Sequence, residues 1–469
     1  MSPLIAAVVY CIGICGLFYL ERGGLGRVSR VLWLPTISLL LDGTRPISFW
    51  MGMQWNNYTP QVKAEVNPLD TIFTFALMVA GIMLLYPRLA AVAMLLRRNA
   101  AVILYVVYCG ISVSWSDYPG LAFKRWVRLL GTFVTVFLIL TDKDPWRAMR
   151  WVLTRVGLLI IPTSILLIKY FPQMSTYFDQ WTGERFVSGM SMDKNMLGMT
   201  CLVTGLAILV QFLSVWKERG RRGRGRRLIA YGVVLLGALW LFSSANSQTS
   251  SACFYIGSLM LVAMSFLKLA RRPVAEHMMA LTLILAAFSV LFLHIGEGTT
   301  LQHLGRSTTL SGRTEIWSGL LAFAGNPLFG TGFDSFWMGD RLRRIWGVGG
   351  MLGGINEAHN GYLEMYLNLG WVGIALLAAL ITTGYRNISI ALLRDPEPGR
   401  FRLVFFVVTI VYCFTEVGFR TGSYIWIIFL FVVCAVPNSR IHKESPTRNG
   451  NKFRKFDFEV GDQAELQSV

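Results

Sequence analysis

The chain has 469 residues, 54% of them hydrophobic and 15% charged, with a mean hydropathy of +0.51. A soluble globular chain carries about 25% charged residues, so a water-soluble fold would lack polar surface. The net charge is +18, but no soluble basic face is visible, so nucleic-acid binding is excluded and the charge is read as membrane topology.

Residues 3–20 are apolar, with no basic leader and no A-x-A site, and are expected to be a first spanning helix rather than a cleaved signal peptide. Residues 31–41 are also apolar but end at Asp42 after eleven residues, too short to span alone, and are read as interfacial or re-entrant. If they spanned, the N-terminus would move outside. Further spans are expected at 69–86, 99–115, 121–140, 151–169, 196–216, 228–243, 251–268, 278–295, 361–384, 402–418 and 424–437. The fold class is thus an all-α polytopic membrane bundle of about twelve transmembrane helices.

Residues 217–227, KERGRRGRGRR, hold seven basic residues against one acid and mark the cytoplasmic side. Counting outward places Arg88, Arg97, Arg98, Lys143, Arg147, Arg150, Lys268, Arg271 and Arg272 there too, while 21–30 falls outside despite three arginines. The opposite face receives 170–195, the polar turn 243–250, and a loop at 296–360. A loop that long is usually functional. Residues 1–437 form the membrane domain, including this extracytoplasmic loop; 438–469 are polar, aperiodic and read as a disordered cytoplasmic tail. No internal repeat is visible. The seven cysteines, Cys11, Cys15, Cys109, Cys201, Cys253, Cys413 and Cys434, lie in apolar runs without a CxxC spacing, so neither a metal knuckle nor a disulfide framework is expected.

The long loop carries SGRTEIWSGLLAFAGNPLFGTGFDSFW at 311–337 and runs into the next span as NEAHNGYLEMYLNLGWVGI at 356–374. Arg313 and Trp317 precede a turn with Pro327, Gly330, Gly332 and Phe333; His359, Asn360, Leu363 and Glu364 then lead to Leu369, Gly370 and Gly373. In this order the segment resembles the O-antigen ligase and polymerase family of bacterial envelope enzymes. Upstream, Arg185, Gly189, Asn195 and Gly198 resemble that family's earlier external element. One departure stands out. Many ligases carry a Ser-Arg pair after a middle helix, where this chain reads Ser247-Gln248-Thr249-Ser250. That departure, with the TRPIS run at 44–48, resembles the exopolysaccharide polymerase branch more than the ligases.

The resemblance implies a GT-C-like membrane glycosyltransferase of the bacterial inner membrane with its site facing the periplasm. The donor would be an undecaprenyl-pyrophosphate-linked oligosaccharide. The acceptor would be a second lipid-linked repeat in a polymerase, or a lipid or glycan in a ligase. Membrane lipids and polysaccharide assembly or export proteins are the implied partners. Arg suits the pyrophosphate leaving group because its planar fork binds phosphate oxygens bidentately and stays charged. With Arg in that role no metal and no cofactor are expected. His359, with an imidazole near neutrality, would take the acceptor's proton. Arg313 would grip phosphate, with Arg185, Arg125, Arg128 and Lys194 as further lipid-pyrophosphate ligands and Asn195, Asn360 and Glu364 in support. Each has a plainer reading. His359 could be an ordinary interfacial histidine, Arg313 and Arg185 solvated loop arginines, and Glu364 a structural residue. Arg125 and Arg128 share a face near the outer end of a span, where with Lys124 they could snorkel. His294 and His303 are read as structural. No cluster of Asp, Glu and His has ligand spacing, and no nucleotide loop, HExxH or GxSxG is present. A rival reading is a flippase or transporter of lipid-linked oligosaccharides, which should show matched repeats and discontinuous helices; none is apparent in the sequence.

Overall fold

A computed structural model describes residues 2–23, 28–52, 67–178, 183–218, 220–268, 272–292 and 311–436. The tail from 438, His294, His303 and the loop segment 293–310 lie outside the described residues. The chain is an all-α polytopic membrane protein. Its main helices are α1 (Pro3–Glu21), α2 (Trp33–Asp42), α3 (Pro68–Leu85), α4 (Ala100–Ile111), α5 (Pro119–Leu140), α6 (Pro145–Tyr170), α7 (Lys194–Lys217) and α8 (Arg224–Ala245). They continue with α9 (Gln248–Phe266), α10 (Pro273–Phe292), α11 (Ser311–Leu321), α12 (Gly339–Gly347), α13 (Gly361–Arg394), α14 (Pro396–Tyr412) and α15 (Tyr424–Val433). Among the described residues, eight helical segments, with Pro68–Arg98 taken as one, are long and apolar enough to cross a membrane. A small antiparallel hairpin, β1 (Thr176–Phe178) and β2 (Arg185–Val187), follows α6.

The ends of these helices are set by local chemistry. Asp144 caps α6 by accepting from Arg147 N at 3.0 Å, and Asp193 caps α7 by accepting from Met196 N at 2.8 Å. Such caps satisfy backbone donors that the first helical turn leaves open. Asn246, at φ +52, closes α8 in the left-handed conformation that Asn tolerates better than most residues.

Contacts between ends sort the bundle into two faces. One collects the basic loops. Arg226 in the 217–227 loop donates to the Arg22 carbonyl at 2.8 Å, and Glu21, buried, pairs with Arg155 at 2.7 Å and accepts from Tyr231 at 3.3 Å. Residues 21–23 therefore lie on the basic face, not opposite it as expected. The cause is α2. Its start meets α6 through Trp33 and Trp151, whereas just past its end Arg45 sits in the 170–195 loop, with Nε donating to Ser191 O at 3.0 Å and its amide to Met190 O at 2.9 Å. This segment passes between faces instead of lying at an interface, which adds one crossing to the twelve expected. Its ten residues suffice because buried Leu32, Thr36 and Leu39 pack inside the bundle.

The opposite face carries the long loop, which has its own small core of Ile316, Leu320, Phe336, Ile345, Leu352, Ala358 and Leu367. It is locked to α13 at a break in that helix. Gly370 is non-helical at φ +63, so Leu367 O and Asn368 O lose the donors an unbroken helix would give them, the amides of Trp371 and Val372. Those carbonyls instead accept from Thr331 and Gly332 at 3.3 and 2.9 Å, and those amides donate to Pro327 O and Leu328 O at 2.9 and 3.1 Å. Two helical bonds become four bonds to the turn. Both backbones must touch for this, and a Cβ on Gly330 or Gly370 would sit 2.4 Å from the other strand's carbonyl. The break is a discontinuous helix that the sequence reading did not anticipate; being filled by protein backbone, it keeps these four backbone groups paired.

Candidate active site

Four segments meet where α13 begins: α11, the 355–360 strap, the first turn of α9, and the loop 413–423 after α14. Asn360 caps α13, accepting from Tyr362 N and Leu363 N at 3.0 Å each, while its amide donates to Phe414 O at 3.2 Å. Gly361 N donates to Cys413 O at 2.8 Å, and the Thr249 and Thr415 hydroxyls are 2.9 Å apart. Glu364 accepts from Trp337 Nε1 at 2.7 Å, Asn368 Nδ2 at 3.2 Å and Ala358 N at 3.0 Å. Its carboxylate therefore fastens the strap to the helix, the structural alternative, and Asn360 has a similar anchoring part.

Within this frame, Arg313, His359 and Glu416 form one array. Arg313 Nη2 donates to Glu416 Oε1 at 3.2 Å. His359 Nδ1 faces Glu416 Oε2 at 3.5 Å and Glu357 Oε1 at 3.1 Å. His359 is at φ +47, an uncommon conformation that the surrounding cap and strap impose. Its Nε2 has no hydrogen-bond partner among the described residues. Burial would pull the imidazole down, but bonding and charge from Glu357, then Glu416, raise it from 6.5 to about 10. This replaces the near-neutral imidazole expected from sequence. Burial pushes Glu357 up, but His359, Arg420 and Arg313 together hold it below its ordinary value.

Glu357, His359 and Glu416 place three donor atoms within 4.8 Å of one another. The sequence reading found no such cluster, because Glu416 is 57 residues from His359. A cation could be accommodated only against the positive charge of Arg313, which already sits on Glu416.

The other candidates are distributed differently. Arg125, buried, donates to the Asp334 carbonyl and lies 3.9 Å from its carboxylate. This contact anchors the long loop's turn, the structural alternative to the lipid-phosphate role expected for it. Arg128 remains partly exposed, 3.7 Å from Asp42 and beside Gly422 in the 413–423 loop. Arg185 is exposed on β2 and makes no contact with Arg313, His359 or Glu416. The Lys194 ammonium lies 3.4 Å from the Phe186 ring centre, and Asn195 contributes its backbone amide to Asp193 at the start of α7. Gly198 lets the 247–250 turn approach α7, since a Cβ there would meet Ser247 at 2.6 Å. Arg45 of the TRPIS run is a buried clamp on the 170–195 loop.

Sequence reasoning missed Glu357, Glu416 and Arg420. Glu416 was absorbed into an expected span at 402–418, whereas α14 ends at Tyr412. The signals were an acid inside an apolar run and the nearby Gly418 and Gly422.

Comparison with known proteins bears on part of this region. Residues 232–378 match the family model described as O-Antigen ligase. The chain is 25% identical over 304 residues to "Exopolysaccharide production protein ExoQ" of Rhizobium meliloti (strain 1021). That match covers 62% of this chain and 66% of the relative, just under two thirds of its length. The likeness to the O-antigen ligase and polymerase family is therefore real over the region that holds Arg313 and His359. The family match stops before the 413–423 loop.

Proposed function

From this O-antigen ligase-like region we propose that the chain is a glycosyltransferase of the bacterial inner membrane. It moves glycan from a polyprenyl-pyrophosphate-linked donor on the periplasmic face, in O-antigen or exopolysaccharide assembly. One observation carries the reading: Arg313 and His359, from separate segments, converge on a single carboxylate beside a membrane-spanning helix. In the reaction the acceptor hydroxyl oxygen bonds to the anomeric carbon. The bond from that carbon to the pyrophosphate oxygen breaks, and its electron pair leaves on the pyrophosphate. Arg313 stabilises that charge, with Arg128 as a further arginine of this face. The hydroxyl proton passes to His359 Nε2, while Glu357 and Glu416 hold the Nδ1 proton and steady the imidazolium.

Polymerisation is favoured over ligation because the 247–250 turn supplies no arginine and the relative is named for exopolysaccharide production. The acceptor is then a second lipid-linked repeat. The test is purified protein with synthetic lipid-linked repeats, with and without a lipid A core acceptor. A ladder of products without core supports polymerisation, and single transfer to core supports ligation. No product in either case, from folded protein, overturns the enzyme reading. The break in α13 and the buried Arg125 would also suit a flippase. In a deletion strain, lipid-linked repeats trapped on the cytoplasmic side would favour that rival.

A further inference from the structure

The Arg313–Glu416 contact raises a question that the transfer reaction does not answer: why the arginine meant for phosphate is already neutralised. Glu416 is the most enclosed member of the array, its side chain 8% exposed against 24% for Arg313 and 29% for His359. Its carboxylate is divided, one oxygen toward Arg313 and the other toward His359. Three elements fix it. Its amide donates to Tyr412 O at 3.0 Å at the end of α14, its neighbour Thr415 meets Thr249 in the first turn of α9, and Phe414 O accepts from Asn360 at the start of α13. No part of the family match reaches it.

We propose that Glu416 is a positioning residue that holds Arg313 and His359 in one array before the donor arrives and yields Arg313 to the donor's pyrophosphate as it binds. The inference rests on the proposed transfer reaction. A buried cation with no partner is unfavourable, so a site built to receive an anion benefits from a provisional one. Exchange of one anion for another keeps Arg313 paired throughout, while the second oxygen keeps His359 aligned. The exchange also makes Glu416 a competitor of the donor. Donor binding is therefore weaker than Arg313 alone would give, and the difference appears in the transition state.

The test is Glu416→Gln, which keeps the shape and removes the charge. Binding of geranylgeranyl pyrophosphate by the full-length protein in detergent should tighten about tenfold. In turnover, KM for the donor should fall while kcat drops tenfold or more, a split that a folding defect does not produce. The rising limb of the kcat/KM pH profile should move to lower pH, because one of the carboxylates facing His359 is lost. Glu357, Arg313, Arg420 and Asp193, the other charged groups around this array, are unchanged. Glu416→Asp keeps the charge but is too short to meet both partners and should lie between wild type and Gln. If the Gln variant does not fold, the KM and kcat split is read on Glu416→Asp. Unchanged or weaker pyrophosphate binding in folded Glu416→Gln overturns the proposal. Absence of product from wild type would overturn the transfer reaction instead, and the binding arm would still report on Glu416.

Discussion

Gly370→Ala tests the union of loop and membrane helix. Gly370 has φ +63 and ψ −162, a region that side chains other than glycine enter at a cost of about 1–3 kcal/mol. An added Cβ would also lie 2.4 Å from the Leu328 carbonyl, a backbone group that cannot rotate away. Relieving that clash separates the strands and loses the bonds from Trp371 N and Val372 N, worth about 0.5–1.5 kcal/mol each. Together these come to on the order of 4 kcal/mol. At roughly 2 °C per kcal/mol for a large domain this is a fall of about 8 °C in melting temperature. Thermal unfolding of the purified protein in detergent is the assay. Gly120→Ala is the control, because nothing lies within 4 Å of an added Cβ there and the change should stay within about 0.5 kcal/mol. Equal melting of the two variants would refute the interlock.

His359→Ala should lower turnover about 10²–10⁴-fold and leave donor binding in place, checked by glycan product at matched protein level. With His359 raised to about 10, its basic form declines as pH drops below that value, so kcat/KM should fall about tenfold per pH unit toward neutrality; a plateau above pH 7 would contradict this. Arg313→Lys should be clearly impaired and Arg313→Ala worse, because Lys keeps the charge without the bidentate fork; wild-type behaviour of both would return Arg313 to an ordinary loop residue. Reporters at Gly223 and Gly350 should give opposite signals, and one at Ser2 should agree with Gly350, since residues 21–23 and the 217–227 loop share a face. Chelator should leave activity intact; loss restored by a divalent ion would assign the Glu357–His359–Glu416 cluster to a metal.

The sequence was most informative where chemistry is local. Helix caps, the glycine turn and the His359–Asn360 start of α13 are each written in a few consecutive residues. It was least informative where partners are distant. Arg125 in an apolar helix reads equally well as a snorkelling or a paired side chain, and its partner Asp334 is 209 residues away. The carboxylate that joins Arg313 to His359 was hidden because hydropathy carries an apolar run straight through Glu416. Length rules failed at α2, since they assume a helix surrounded by lipid and not one packed against α6 at its start and α15 at its end. Glu357 went unremarked because charges in loops are ordinarily solvated.

The placement of α2 also bears on how the chain is assembled. The Leu39 carbonyl of α2 accepts from the Tyr424 hydroxyl at the start of α15, and Gly43 lies so close under that ring that a Cβ would meet the hydroxyl at 2.4 Å. This segment is thus seated by a helix made 385 residues later in the chain. Until α15 arrives, ten residues of α2 have neither the length to hold themselves across a bilayer nor the lid that keeps them there. Seating of α2 therefore waits for α15, and truncation before Tyr424 should release α2 along with the missing helix.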